Sequence, residues 1–268
     1  MHFYDALYPS APDAVLQPPD ATADDYRSLQ TELGLERVVV VQPTTYGLDN
    51  SCQLDMMATF GDPGDGLVRG VMVVDESVSA DELRRLTELG VCGARFHMLP
   101  GGVVPWEMLE TVAATIAPFG WHIQLQCNGH ELAARQHQLA ALPTEIVIDH
   151  IGRYMPPVPT DDDNFTALLR LVEAGHAWVK LSAPYESSTE TIHNGDHAST
   201  HHTDVLPLID TLVERVADRL LWASNWPHPG QSSAPSPGTL MTQLERWLPT
   251  EELRHQVLVT NPDRLYFC

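Results

Sequence analysis

Polar residues that could carry out acid–base chemistry recur at the ends of short β-branched runs in this sequence. They include imidazoles that can move a proton or polarise a carbonyl near neutral pH. They also include guanidinium groups that can hold a carboxylate, and hydroxyl or amide groups that can orient a ligand. The candidates, in chain order, are His2, Tyr46, Arg95, Gln126, His150, Arg153, Ser182, Tyr185, Asn225 and His228. The set predicts a site for a small polar molecule.

The runs that precede these residues are typical of buried parallel strands. They are nearly continuously apolar, as expected of strands that helices cover on both faces. Seven are clear: Arg37–Val41, Leu67–Val74, Val91–Phe96, Trp121–Gln126, Glu145–Asp149, Ala177–Leu181 and Arg219–Ala223. Met1–Tyr4 completes the set as a short first strand.

Helical patterns alternate with the strands. Ser79 with Glu82 three residues later predicts a capping box at one helix start, and Gly34, Gly90 and Gly120 follow helices as C′ residues. The predicted helices are Ala23–Leu33, Ser51–Phe60, Ser79–Leu89, Glu107–Ala117, Glu131–Ala141, Asp162–Ala174, Asp204–Val216 and Leu240–Leu248.

Eight strand–helix units in 268 residues predict one (β/α)₈ TIM barrel spanning residues 1–268. A doubly wound sheet is the alternative, but no Gly-rich phosphate loop follows the first strand. In a barrel the carboxyl ends of the strands meet at one face, so the candidates at those ends form one predicted site.

Composition limits the partners. The formal net charge of −21 argues against binding to nucleic acid and to anionic membranes. A small-molecule substrate is therefore the expected partner, and a homo-oligomer is possible. No apolar run approaches the roughly 20 residues of a membrane span. The N-terminus lacks a signal-peptide pattern, so a cytoplasmic protein is expected. The four scattered cysteines predict free thiols.

Each candidate residue alone also has a structural interpretation. A single histidine such as His97 or His122 is more often a hydrogen-bonded structural residue than a catalyst, and Arg69 can bridge layers of a barrel. The recurrence of polar groups at nearly every strand end is what favours a site.

Several segments, taken in order, resemble the amidohydrolase-2 family. They are DHIGR (Asp149–Arg153), VKLSAPY (Val179–Tyr185), WASNWPHP (Trp222–Pro229) and TNPDRLY (Thr260–Tyr266), together with MHFYD, QPTTYGLDN, LVRGVMVVD and GVCGARF in the first part of the chain. The branch they are most similar to contains the 2-pyrone-4,6-dicarboxylate lactonase-like hydrolases. The resemblance covers essentially the whole chain.

The resemblance implies an amidohydrolase-type barrel that hydrolyses a lactone or a similar ester-like bond. In the family a His-x-His pair ends strand 1, a histidine ends strand 6, and an aspartate at the end of strand 8 takes a proton from the attacking water. The histidines polarise the carbonyl. Related branches hold a divalent metal with the same residues, whereas the lactonase branch works without one, so no cofactor is expected and zinc is the alternative.

Two positions depart from this pattern. His2 matches the second histidine of the pair and the first would precede Met1, so we expect a trimmed or misplaced start, with a protein that truly lacks this histidine as the alternative. Asn225 stands at the aspartate position, where an amide cannot act as a general base at neutral pH. It is either an engineered change in a hydrolase or a natural residue with altered or lost chemistry.

The arginines also depart from the pattern. Arg95 is kept, but one expected arginine is replaced near Pro100–Gly102 and another by Glu186. We therefore expect a substrate with at most one carboxylate, bound by Arg95 and Arg153.

A polar insert, Thr191–His202, follows the seventh predicted strand and contains His193, His197, His201 and His202. It is interpreted as a solvated loop, with a lid over the pocket as the alternative. Its Gly/Asp/Ser context gives no helical spacing that would support a metal site.

Three hypotheses follow. The first is a lactonase-type hydrolase with His2, His150 and Asn225 at its centre, in which Tyr46, Gln126, Ser182 and Tyr185 line the pocket and His228 braces the strand-8 turn. The second is a metal-dependent decarboxylase or hydratase of the same superfamily. The third is a binding protein that kept the pocket and lost its base.

Overall fold

The computed structural model describes residues 1–190, 202–231 and 234–267. The chain divides into two compact units. Unit 1 comprises Met1–Leu125 and Asn225–Gly230, and unit 2 comprises Gln126–Ser224 and Gln231–Cys268. The single domain expected over residues 1–268 stays a prediction.

Unit 1 is built on parallel strands joined by helices. Strand β1 pairs with β2 from Val38 opposite Val68, and β2 pairs with β3, with a register shift between Gly70 and Val71. Its elements are α1 (Ala23–Leu33), β1 (Val38–Val41), α2 (Ser51–Ala58), β2 (Val68–Met72), α3 (Ala80–Glu88), β3 (Val91–His97) and α4 (Leu109–Ile116).

Strand β4 (His122–Gln126) begins in unit 1, and its last residue belongs to unit 2. The other strands of unit 2 are again parallel and pair in chain order. The elements of unit 2 are α5 (Leu132–Ala140), β5 (Ile146–Ile148), α6 (Asp163–Glu173), β6 (Ala177–Leu181), α7 (Leu206–Val216), β7 (Leu220–Trp222), α8 (Pro237–Trp247), α9 (Glu251–His255) and α10 (Asn261–Tyr266).

The helix ends follow local capping chemistry. The Ser79 side chain accepts a hydrogen bond from the backbone N–H of Glu82, and the Asp162 side chain accepts two at the start of α6. The predicted C′ glycines all have positive φ, for example 66° at Gly34 and 89° at Gly90. These caps explain why the predicted and observed helices agree to within a few residues in most cases.

The predicted first strand is the main difference. Within the described residues, Met1–Tyr4 is not a strand and makes only an isolated antiparallel bridge from Tyr4 to Ala21. Three further main-chain hydrogen bonds hold the segment, from Met1 N to Val39 O at 3.4 Å, from Val41 N to Met1 O at 2.9 Å and from His2 N to Trp226 O at 2.8 Å. They do not form a regular ladder, but they fix the position of His2.

The strands carry the cores of both units. Val40, Val71 and Phe96 are fully buried in unit 1, and Trp178 and Leu220 are fully buried in unit 2. Each such side chain contributes about 1.5–3 kcal/mol by leaving water. Across the described residues, no helix combines the length and apolar character needed to cross a membrane.

Candidate functional site

Left-handed backbone marks the loops that follow the last three strands. Among the described residues, every non-glycine residue with positive φ lies in one of these loops: His150, Ile151, Arg153, Ala183, His202, Asn225 and His228. Such conformations cost of order 1–3 kcal/mol each and cluster at functional sites. Four of the seven are predicted site residues.

His150 and Ser182 form a buried hydrogen-bonded pair in unit 2. His150 directly follows Asp149 at the end of β5, and Ser182 directly follows β6. The His150 Nδ1 and the Ser182 Oγ lie 2.9 Å apart, and both residues are buried. A hydrogen bond at Nδ1 restrains the rotation of the imidazole ring.

Two ion pairs flank His150. On one side, the Lys180 Nζ lies 3.2 Å from the Asp149 Oδ1, and both side chains are more than nine-tenths buried. On the other side, Arg153 Nε donates to Glu186 Oε2 at 3.0 Å. Arg153, predicted to bind a substrate carboxylate, is thus paired with a carboxylate of the chain itself.

The loop after β6 brings Tyr185 against His202. Their ring centroids lie 6.4 Å apart at an interplanar angle of 59°, and both residues are buried. His202 ends the predicted insert, whereas His193, His197 and His201 lie outside the described residues. The sequence placed His202 in an exposed polar stretch, and nothing in that stretch indicated that this histidine would be buried.

Hydrogen bonds join the two ends of this insert. We call the five residues Ser188, Thr189, Glu190, Thr203 and Asp204 the clasp. Asp204 accepts from Ser188 Oγ at 2.6 Å and from Thr189 N at 2.8 Å, and Glu190 accepts from Thr203 N at 2.9 Å. The clasp sets the position from which His202 reaches Tyr185.

The clasp carboxylates are held in their charged form. Burial acts to raise the pKa of Asp204, but the hydrogen bonds from Ser188 and Thr189 lower it below its usual range. Hydrogen bonds from Thr203 lower the pKa of Glu190. The clasp therefore stays formed at neutral pH.

In unit 1, the start of the chain meets the turn after β7. His2 N donates to Trp226 O, and the His2 Nδ1 lies 2.8 Å from the Val41 O. The turn is closed by a hydrogen bond of 2.7 Å from His228 N to Asn225 O. The structure thus brings together His2, Asn225 and His228, all of them buried.

His228 is held neutral in this turn. Burial, with a smaller contribution from the positive charge of the N-terminal amino group, lowers the pKa of His228 to about 4. A neutral imidazole fits the predicted bracing role of His228, since it can hydrogen bond without the cost of a buried charge.

Arg95 lies in a cleft of unit 1. The cleft is lined by residues of β3, of the loops after β1 and β3, and by Val73: Gln42, Pro43, Thr44, Val73, Arg95, His97 and residues 101–104. Arg95 Nη1 donates to Gln42 O. Gly102 packs onto β3 so closely that a Cβ there would lie 1.7 Å from the His97 O, so this loop requires glycine.

Two further predicted residues have plainer surroundings. Tyr46 is buried, and its hydroxyl accepts from Asp5 N at 2.9 Å, so the hydroxyl holds the N-terminal segment. Gln126 is buried at the end of β4. His122 packs against Gly93, where a Cβ would lie 2.6 Å from the imidazole, and this contact fits the structural interpretation of His122.

The donor set does not fit the divalent metal of related branches. Among the described residues, no group of three His, Cys, Asp or Glu side chains could hold a metal ion. Asn225 contributes a neutral amide where those branches have a carboxylate, and an amide is a poor ligand for zinc. We therefore derive no step through a metal.

Parallel strands that alternate with helices define an α/β protein, and polar side chains follow several of its strands. The Amidohydrolase family model matches residues 1–268, and the chain belongs to this family. The expected resemblance is thereby confirmed.

Three similar proteins support the assignment. The chain is 34% identical to the 2-pyrone-4,6-dicarboxylate hydrolase of Comamonas testosteroni, over 97% of this chain and 85% of that protein. It is 30% identical to the D-galactarolactone isomerase of Agrobacterium fabrum, over 99% and 89%. A crystallised protein of Agrobacterium tumefaciens, 30% identical, superposes with a TM-score of 0.89 over 100% of this chain and 93% of that chain. The predicted TIM-barrel fold is confirmed.

Proposed function

We propose that this protein hydrolyses a small-molecule lactone or a related ester-like bond. The observation that carries the proposal is the buried His150–Ser182 pair at the ends of two neighbouring strands of an amidohydrolase-family chain, in which His150 has a positive φ. A lactone is suggested because two relatives that match nearly the whole chain are named as a 2-pyrone-4,6-dicarboxylate hydrolase and a D-galactarolactone isomerase.

In this proposal His150 acts on the lactone carbonyl. Ser182 holds its Nδ1, so that Nε2 donates a hydrogen bond to the carbonyl oxygen and stabilises the negative charge that develops when water attacks. Water adds to the carbonyl carbon, the bond from that carbon to the ring oxygen breaks, and the ring oxygen takes up a proton. The product is a hydroxy acid.

The other predicted site residues have proposed roles in the same chemistry. His2 is a second group that polarises the carbonyl, and Arg95 binds the polar end of the substrate. Tyr46, Gln126, Arg153 and Tyr185 are proposed to contact the substrate. Asn225 stands at the position of the general base, and its amide can orient a water molecule but cannot accept its proton.

Lactone isomerisation is a second candidate. It is favoured by Asn225, because a reaction in which the substrate's own hydroxyl attacks the carbonyl gains from intramolecularity and depends less on a base that activates water. A relative named as a lactone isomerase supports the same possibility.

The test is to incubate the purified protein with γ-butyrolactone, its 5-carboxylate and a hydroxylated sugar lactone, and to follow the products by proton NMR. Hydrolysis yields a hydroxy acid, and isomerisation yields a new lactone. His150→Asn should reduce turnover about a hundredfold. His176→Asn is the matched control, because His176 is not a predicted site residue and its Nε2 lies 2.8 Å from the Leu139 O. Equal turnover by His150→Asn and the parent would refute the proposed role of His150, and binding without turnover would favour a binding protein.

A further inference from the structure

We propose that the Arg153–Glu186 ion pair makes the site select an uncharged lactone over one that carries a carboxylate. The inference rests on the proposed function and names the substrate class of that site. Glu186 is its specificity-determining residue, because Glu186 cancels the guanidinium charge that would otherwise attract a substrate carboxylate.

The geometry places this pair beside the proposed catalytic histidine. Arg153 N donates to His150 O at 2.9 Å, so the two residues belong to one tight turn. Glu186 directly follows Tyr185 in a 3₁₀ helix after β6. Arg153 Nε and Glu186 Oε2 are 3.0 Å apart, and their side chains are 26% and 22% exposed. A pair that is mostly shielded from water keeps much of its electrostatic interaction.

A second cation near His150 is neutralised in the same way. Lys180 is paired with Asp149, and this pair is almost completely buried. Both of these cations therefore have a carboxylate partner. In a chain with a formal net charge of −21, a substrate carboxylate entering beside His150 would meet no excess positive charge from these two pairs and would be repelled by Glu186.

A charge series of four proteins tests the inference. Relative to the parent, Glu186→Gln raises the net charge by one and Arg153→Gln lowers it by one. The double variant has the net charge of the parent. The probes are two cyclic ethers that cannot be hydrolysed, tetrahydrofuran-2-carboxylate and the neutral tetrahydrofuran-2-methanol. Binding is measured by calorimetry at low salt, so the result does not depend on turnover.

We expect Glu186→Gln to tighten binding of the carboxylate about tenfold relative to the alcohol. Arg153→Gln should weaken binding of the carboxylate relative to the alcohol. In the double variant the affinity ratio of carboxylate to alcohol should return towards that of the parent. Glu173→Gln is the control, since it breaks an exposed ion pair with Arg215 and should leave the ratio unchanged.

Three outcomes would overturn the inference. The affinity ratio of carboxylate to alcohol is the same in Glu186→Gln as in the parent, or it does not follow the charge across the series, or neither ether binds to any variant. Failure of the proposed function gives a different result, in which no lactone is converted although the binding ratio still follows the charge.

Discussion

Asn225→Asp is the substitution that most directly addresses the chemistry. Asn225 is 7% exposed and has a φ of 54°, a conformation that Asn and Asp both tolerate. The two side chains have nearly the same shape. The hydrogen bond that closes the turn uses the main-chain oxygen of residue 225, so it survives the change. The substitution thus adds a carboxylate without a change of side-chain shape and without loss of the hydrogen bond that closes the turn.

A positioned general base contributes about 10²–10⁴ in rate, or about 3–5 kcal/mol of transition-state stabilisation. We expect the kcat/KM of Asn225→Asp for a neutral lactone to rise within that range. Because the new base must be ionised, the activity of the variant should fall as pH decreases through the pKa of the carboxyl group. The parent should lack this acid limb.

The assay is a pH–rate profile of ring opening for both proteins, with folding checked by circular dichroism. Asn261→Asp is the control, because Asn261 is buried and its Nδ2 donates to Ala217 O and Leu220 O. A carboxylate cannot donate, so this control should lose about 1–3 kcal/mol of stability and gain no activity. A folded Asn225→Asp that is no more active than the parent at any pH would refute the assigned role of residue 225.

Two further predictions concern His150 and His228. Ser182→Ala should lower kcat about tenfold, because it removes the hydrogen bond at the His150 Nδ1. Ser182→Thr keeps a hydroxyl group and should restore most of the lost kcat. Equal kcat in Ser182→Ala and the parent would contradict the positioning role of Ser182. The pKa of His228 is about 4 in the folded state and about 6.5 in the unfolded state. Between these two pH values the unfolded state binds a proton that the folded state does not bind. The free energy of unfolding should therefore fall by up to about 3 kcal/mol as pH decreases from about 6.5 to about 4. Urea unfolding at pH 7 and pH 5 should show this loss in the parent and a smaller one in His228→Gln; the same loss in both would assign it to other groups.

Much of the fold followed from sequence because its signals are local. Apolar runs such as Ala177–Leu181 could only be buried strands, and the cap at Ser79 fixed a helix start. The segment Met1–Tyr4 was harder, because a run so short becomes a regular strand only if its neighbours supply a full ladder.

The site was harder to predict because it depends on contacts between distant residues. The order of the strands brought His150 and Ser182 to neighbouring strand ends, and this could be expected. The pairing of Arg153 with Glu186 could not be predicted, because the sequence does not show whether an arginine faces a ligand or a carboxylate of its own chain. The burial of His202 depends on the clasp, whose hydrogen bonds join residues on either side of the insert.

The clasp also joins the two chain segments on either side of the insert. Because hydrogen bonds join Ser188 and Thr189 to Asp204, the spacing of the two loop ends does not depend on the segment between them. The entropy cost of closing a loop grows only slowly with its length. The segment can therefore be replaced by one of different length or composition while β6 and α7 keep their places, and the clasp residues are natural junctions for exchanging loops among related enzymes.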